Sequence, residues 1–220
     1  IPDSKLVNLM YLLGDGYAYF GNYKKSMYFL NKSLFIINKS FGGKHVNVVN
    51  ILHVLGRVNV FIGNYVKGEK LLRKALTLAK KQYGTSNIKT TKILRDIGWV
   101  NIFLGDYMKA KKTSEQSLKL IEKYRGSNSI KIAETLQNVA RTELYLGNYT
   151  KAKTISERSL SIIREFYGFN HLYTIWSLEN IGWVNVRTGN YKEAEKTFKK
   201  IFTLTKKNLS FNSIPITWAL

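Results

Sequence analysis

The 220 residues contain no cysteine, only two prolines and three histidines, and 14 acidic side chains against 35 lysines and arginines. Without cysteine there is no disulfide framework and no thiol chemistry, which fits a reducing compartment. The prolines, Pro2 and Pro215, sit near the two ends, so the body of the chain lacks the residue that breaks helices. No apolar run is long enough to cross a bilayer as a helix, and the start has no signal-peptide pattern. His45, His53 and His171 are dispersed, no Cys/His cluster has metal-ligand spacing, and no glycine loop is of the kind that cradles phosphate. The groups that acid–base chemistry requires are missing. The expectation is therefore no catalytic residue, no metal and no cofactor. His45 and His171 hold the same repeat position, three periods apart, near helix starts, which favours capping over chemistry.

What is present is a period. Phe20-Gly21-Asn22-Tyr23 recurs as Ile62-Gly63-Asn64-Tyr65, Leu104-Gly105-Asp106-Tyr107, Leu146-Gly147-Asn148-Tyr149 and Thr188-Gly189-Asn190-Tyr191, each 42 residues after the last. Glycine followed by Asn or Asp suits a short link between two helices. The glycine closes one helix in the left-handed conformation, and the polar side chain accepts amides at the start of the next. Small residues flank the link at Gly14, Gly56, Gly98, Ala140 and Gly182 before it, and at Ser26, Gly68, Ala110, Ala152 and Ala194 after it. They let paired helices approach closely. A second glycine series, Gly42, Gly84, Gly126 and Gly168, marks the stops between pairs.

These marks predict helices over 3–20 and 23–40, 45–62 and 65–82, 87–104 and 107–124, 129–146 and 149–166, and 171–188 and 191–207. The repeats run 3–42, 45–84, 87–126, 129–168 and 171–210 within a single array over 1–220. Residues 211–220 align at one period's shift with the first helix of the fifth repeat, Trp218 on Trp176, and are expected to be a partial sixth repeat or a cap. A first residue other than Met and this broken repeat suggest a fragment of a longer protein.

The third repeat reads Leu94, Ile97-Gly98, Gly105-x-Tyr107, Ala110, Ser117-Leu118, and in this it resembles the tetratricopeptide repeat. The longer period and the phrase Tyr167-Gly168-Phe169-Asn170-His171 are similar to the kinesin light chain class of these repeats. The resemblance implies an all-α, right-handed superhelical solenoid of antiparallel helix pairs. It also implies a non-enzymatic scaffold that binds protein or peptide in a concave groove lined by the first helix of each pair. Asn138 and Asn180 lie in Leu-x-Asn-Val-Ala and Leu-x-Asn-Ile-Gly, similar to a phrase whose asparagines hold an extended peptide backbone in that class. The second and third repeats depart from it with Val54 and Asp96.

By register from the small residue of each first helix, the groove candidates are Asn50, His53 and Arg57 in the second repeat and Lys92, Arg95 and Trp99 in the third. Gln137, Asn138 and Arg141 follow in the fourth, and Trp176, Asn180 and Trp183 in the fifth. Arg57, Arg95 and Arg141 are suited to carboxylates of a ligand; the alternative is internal ion pairing, with Asp96 as counter-charge. Trp99 and Trp183 share one repeat position and read as binding anchors or as inter-repeat packing. Asn59, Asn101 and Asn185 also share a position and are expected to be buried amides bonded to a neighbouring helix.

The formal net charge is +21. Lys70, Lys74, Lys111, Lys112, Lys153, Lys196 and Lys199 fall on second helices. One account is a solvated face in a composition typical of AT-rich genomes. The other is a field that steers acidic partners. The leading expectation is capture of an acidic, partly apolar segment of a partner protein. The alternatives are binding of nucleic acid or an anionic surface through the lysine-rich face, and a spacer or oligomerisation module of a larger protein. Composition leans towards a bacterial source and a cytoplasmic setting, the host cytosol included if the protein is secreted.

Overall fold

A computed structural model describes residues 2–42, 45–125 and 129–209. The expected stop at Gly126 and the tail 211–220, with Trp218, lie outside the described residues. Among those described there are ten α-helices and no strand. They are α1 (Pro2–Tyr19), α2 (Tyr23–Phe41), α3 (Val48–Phe61), α4 (Tyr65–Tyr83), α5 (Ile88–Phe103), α6 (Tyr107–Arg125), α7 (Ile130–Tyr145), α8 (Tyr149–Tyr167), α9 (Thr174–Arg187) and α10 (Tyr191–Leu209). The chain divides into two compact units, Ile1–Val100 and Asn101–Leu220. In the first, α1 packs on α2, α2 on α3, and α3 on α4; in the second, α6 through α10 pack each on the next. No helix among the described residues is long and apolar enough to cross a membrane.

Each link within a pair closes as the glycines predict. Gly63 has φ 84° and Gly105 φ 73°, a region open to residues without a Cβ. The amide of the residue after the glycine reaches back five residues, Asn64 N–H to the Asn59 carbonyl at 2.8 Å and Asp106 N–H to the Asn101 carbonyl at 3.0 Å, a Schellman closure. The side-chain cap is less regular than the repeat suggests. Asn22 accepts from the Lys25 amide at 3.2 Å and Asp106 from the Lys109 amide at 3.1 Å. Asn64 and Asn148 make no such bond.

Helix starts show a further pattern. The His45 and His171 Nδ1 atoms each accept an amide two residues on, from Asn47 and Tyr173, both at 3.2 Å. This local turn holds the chain out of the helix until Val48 and Thr174, three residues later than periodicity places the starts at 45 and 171.

The small residues are contact points. A Cβ on Gly68 would lie 2.6 Å from Val60 Cγ2 and 3.0 Å from the Gly56 carbonyl, and one on Gly56 2.7 Å from Leu72 Cγ. The core is a series of clusters rather than one centre. Val7, Leu30, Ile37, Ile51, Leu55 and Val58 form one in the first unit. In the second, Ile121, Ile132, Leu136 and Ile163 form another, and Leu160, Leu178, Ile201 and Leu204 a third.

Candidate functional site

First helices of successive pairs meet side by side, α1 with α3 in the first unit and α7 with α9 in the second. The residue two before the small position faces this seam. Val54, Asp96, Asn138 and Asn180 are accordingly buried, which corrects the expectation that this position opens into a groove. Asn180 shows why: its Nδ2 donates to the Gln137 carbonyl of the neighbouring helix at 3.1 Å, and its Oδ1 accepts from Arg141 Nε at 3.0 Å. Both ends of the amide are used to join α7 to α9.

In the first unit the seam carries a charge cluster. Asp96 is buried, with its Oδ2 2.7 Å from His53 Nε2, its Oδ1 3.0 Å from Arg95 Nε, and Arg57 Nε at 3.8 Å. Burial alone would raise this carboxyl's pKa. The Arg95 guanidinium, the His53 hydrogen bond and charge, and Arg57 outweigh it and hold the group far below the ordinary carboxylate range. Of the two arginines read as carboxylate receptors here, Arg95 is engaged within the fold, and Arg57, half exposed, leans over the Phe61 ring with 5.6 Å to its centroid. Asn50 and Lys92 are partly buried. Trp99 is not an exposed anchor: it is 7% exposed, edge-on to Phe61 with ring centroids 5.3 Å apart.

In the second unit Arg141 is likewise engaged. Its Nη2 lies 2.6 Å from Glu179 Oε2, and its guanidinium stacks 5.7 Å from the Trp176 ring. Gln137 Nε2 donates to the Tyr173 carbonyl at 3.1 Å and faces Ser177 Oγ at 3.2 Å. Trp183 is 44% exposed.

Two cavities recur at one register. In the first unit a space of about 470 Å³ lies among Leu12, Asp15, Tyr19, Val54, Arg57 and Phe61. In the second, about 580 Å³ lies among Arg141, Leu144, Tyr145, Tyr149, Glu179, Trp183 and Arg187. A shift of three periods carries Asp15, Tyr19, Arg57 and Phe61 onto Arg141, Tyr145, Trp183 and Arg187. At these four positions the charged and aromatic groups change from an acid and an arginine to two arginines and a tryptophan, while Glu179, paired with Arg141, adds an acid to the second wall. Arg187, exposed and in no ion pair among the described residues, and Tyr145 line this cavity and lie outside the register positions. The available signal was spacing: Arg187 is four residues after Trp183, hence on the same helical face.

Glu143 is also new. It stands where other repeats have Asn59, Asn101 and Asn185. It is fully buried. Its Oε1 lies 2.6 Å from Lys151 Nζ and 3.2 Å from Lys111 Nζ, and its Oε2 accepts from Asn148 at 2.6 Å. Burial raises this carboxyl's pKa, but the three hydrogen bonds prevail and hold it below the ordinary value. At the same position Asn59 Nδ2 donates to the Leu55 carbonyl at 2.8 Å, a bond within its own helix rather than to the neighbour. Among the described residues no group of three His, Cys, Asp or Glu could hold a metal ion.

The profile of the family described as tetratricopeptide repeat matches residues 60–123, 100–153 and 131–207. Among solved structures, BtubC (BKLC) from P. vanneervenii superposes with a TM-score of 0.73 at 16% identity, over 96% of this chain and 84% of that one. A putative kinesin light chain from Podosopora anserina, with nearly identical TPR-like repeats, gives 0.69 at 16% identity, over 94% and 97%. NprR in complex with its cognate peptide NprX gives 0.75 at 16% identity, over 93% of this chain and 57% of that one. At these identities the likeness is one of fold. No curated protein matches significantly.

Proposed function

The chain belongs to the tetratricopeptide repeat family, and on that premise we propose that it is a non-enzymatic scaffold whose first-helix face holds an acidic, partly apolar segment of a partner protein. The observation that carries this is the second unit's cavity. Trp183 offers an exposed aromatic wall, Tyr145 and Leu144 add apolar surface, and Arg187 has no ion pair among the described residues. An arginine beside an aromatic in a concave site binds a carboxylate while the ring covers a neighbouring apolar group. The net charge of +21 favours encounter with acidic chains. NprR, similar in fold, is solved with a peptide bound. Of the residues singled out by register, Trp183 and Arg57 retain exposed surface, whereas Asn138, Asn180 and Trp99 are buried.

The test is selection from a displayed library of random twelve-residue peptides, followed by fluorescence anisotropy on the enriched sequences. Acidic sequences with an apolar residue should dominate, and Arg187→Glu and Trp183→Ala should each weaken binding by about tenfold or more. Enrichment of basic peptides, or affinity indifferent to both changes, overturns the reading.

A second reading has one observation behind it. Lys70, Lys74, Lys112 and Lys153 on the second helices are exposed and in no ion pair among the described residues. Such a surface attracts nucleic acid with steep salt dependence and little sequence preference. Oligonucleotide binding lost on Lys112→Glu with Lys153→Glu, and unaffected by Arg187→Glu, would establish it over the peptide reading.

A further inference from the structure

Three residues lining the second unit's cavity are charged: Arg141, Glu179 and Arg187. Arg141 is engaged. Its Nε donates to Asn180 Oδ1 at 3.0 Å and its Nη2 to Glu179 Oε2 at 2.6 Å, so two of the donors with which a guanidinium grips a carboxylate are already filled. Arg187 has no ion pair among the described residues. Its repeat position is open inside the array as well: Tyr145, one period earlier, is 48% exposed although α9 packs on α7. The wall therefore has one cation to spare. The place of Arg141's counter-charge is a second observation. Two periods earlier the equivalent arginine, Arg57, faces Asp96, whose side chain is 8% exposed within the seam. Beside Arg141 the position of Asp96 holds the neutral Asn180, which already joins α7 to α9. The acid is Glu179, one residue earlier, 26% exposed and on the cavity wall. Its charge stands where a ligand meets it.

We infer that Glu179 is the specificity-determining residue of this cavity, restricting it to a segment that brings one carboxylate, not two, beside its apolar residue. This rests on the peptide reading above and names the class of segment. Glu179, Trp183 and Arg187 follow one another at four-residue steps on α9, so the acid and the free arginine are about 12 Å apart along the helix axis, with the indole between them. That is roughly the span of three or four residues of extended chain. For a segment lying along α9, a carboxylate on Arg187 and an apolar side chain on Trp183 leave the next position facing Glu179. A second carboxylate there meets a guanidinium already filled and a like charge beside it. Discrimination by repulsion needs no further contact.

The experiment is fluorescence anisotropy with a library-selected peptide trimmed to one acidic side chain, its ends acetylated and amidated. It is compared with copies carrying a second glutamate three or four residues from the first, on either side. On the wild-type chain no copy should bind more tightly than the parent peptide. On Glu179→Gln, which frees Arg141, one copy should bind about tenfold more tightly than the parent. Glu179→Asp keeps the charge and should restore the wild-type preference. Damage to the fold would weaken all the peptides alike, whereas the expected change is one of preference between them. If Glu179→Gln ranks the peptides as the wild-type chain does, the inference is overturned; the peptide reading then survives, because the parent still binds through Arg187 and Trp183. If no acidic peptide binds the wild-type chain, both fall.

Discussion

Trp99 and Trp183 occupy one position of the 42-residue period, yet Trp99 is 7% exposed and Trp183 44%. The difference lies in the residue each one meets. Phe61 turns its ring edge to Trp99. The counterpart of Phe61 two periods on is Tyr145, which instead stacks on Tyr107 with centroids 4.9 Å apart and planes 3° from parallel. Trp183 is left with an edge contact to Phe198 at 5.6 Å and one face open to the cavity.

The two tryptophans should therefore separate stability from binding. Trp99→Ala removes a buried indole and should cost about 3–5 kcal/mol in urea melts. Trp183→Ala loses one edge contact and some partly exposed area, and should cost about 1 kcal/mol while weakening the selected peptides. Equal stability costs would contradict the assignment of Trp183 to the surface.

Asp96 predicts an acid-labile first unit. Its folded-state pKa lies well below its ordinary value of 3.8. A carboxylate depressed on folding contributes stability that is complete above the unfolded value and is lost as the pH falls through the folded one. The urea midpoint should hold from neutrality to about pH 5 and fall steadily towards about pH 2. Asp96→Asn leaves His53, Arg95 and Arg57 without their counter-charge and should cost about 3–5 kcal/mol at neutral pH. It should also flatten much of the acid slope. An unchanged slope in this variant would show that Asp96 is not the group being titrated.

Some acid slope should survive in Asp96→Asn, because Glu143 has the same sign of shift. Glu143→Gln keeps the size and the bond to Asn148 but removes the charge facing Lys111 and Lys151. A cost on the order of 2 kcal/mol is expected, with a further loss of acid slope in the double variant. If Glu143→Gln is neutral at pH 7 and leaves the slope intact, the buried carboxylate is not the charged group its partners imply.

The period made the helix pairs legible because turn chemistry is local: Gly63 and Gly105 need only their own backbone to declare a link. The delayed starts of α3 and α9 were less visible, since nothing in an apolar periodicity announces that a histidine ring holds the turn before it. The site was legible in direction but not in occupancy. Register shows that Asp96 and Asn180 point along the first-helix face. Whether a neighbouring helix fills that space depends on what the preceding repeat places there, Gln137 and Arg141 for Asn180. Arg187 and Glu143 were missed for opposite reasons. Arg187 lies outside the register window that defined the groove. Glu143 sits where three repeats have asparagine, and its acidity reads as substitution noise until Lys111, Asn148 and Lys151 converge on it.

Gly68 gives a test of the pair geometry alone. A side chain there collides with Val60 Cγ2 and the Gly56 carbonyl, and the carbonyl, being helix backbone, cannot swing aside. Gly68→Val should cost about 1–3 kcal/mol by overpacking, even though valine is common in helices of this chain. Trimming the movable neighbour should recover part of the loss, so Gly68→Ala with Val60→Ala should be more stable than Gly68→Ala alone. The same double change at a site without close approach would simply add two penalties. Additive costs here, measured by urea unfolding of the single and double variants, would mean that α3 and α4 do not touch where Gly68 and Val60 place the contact.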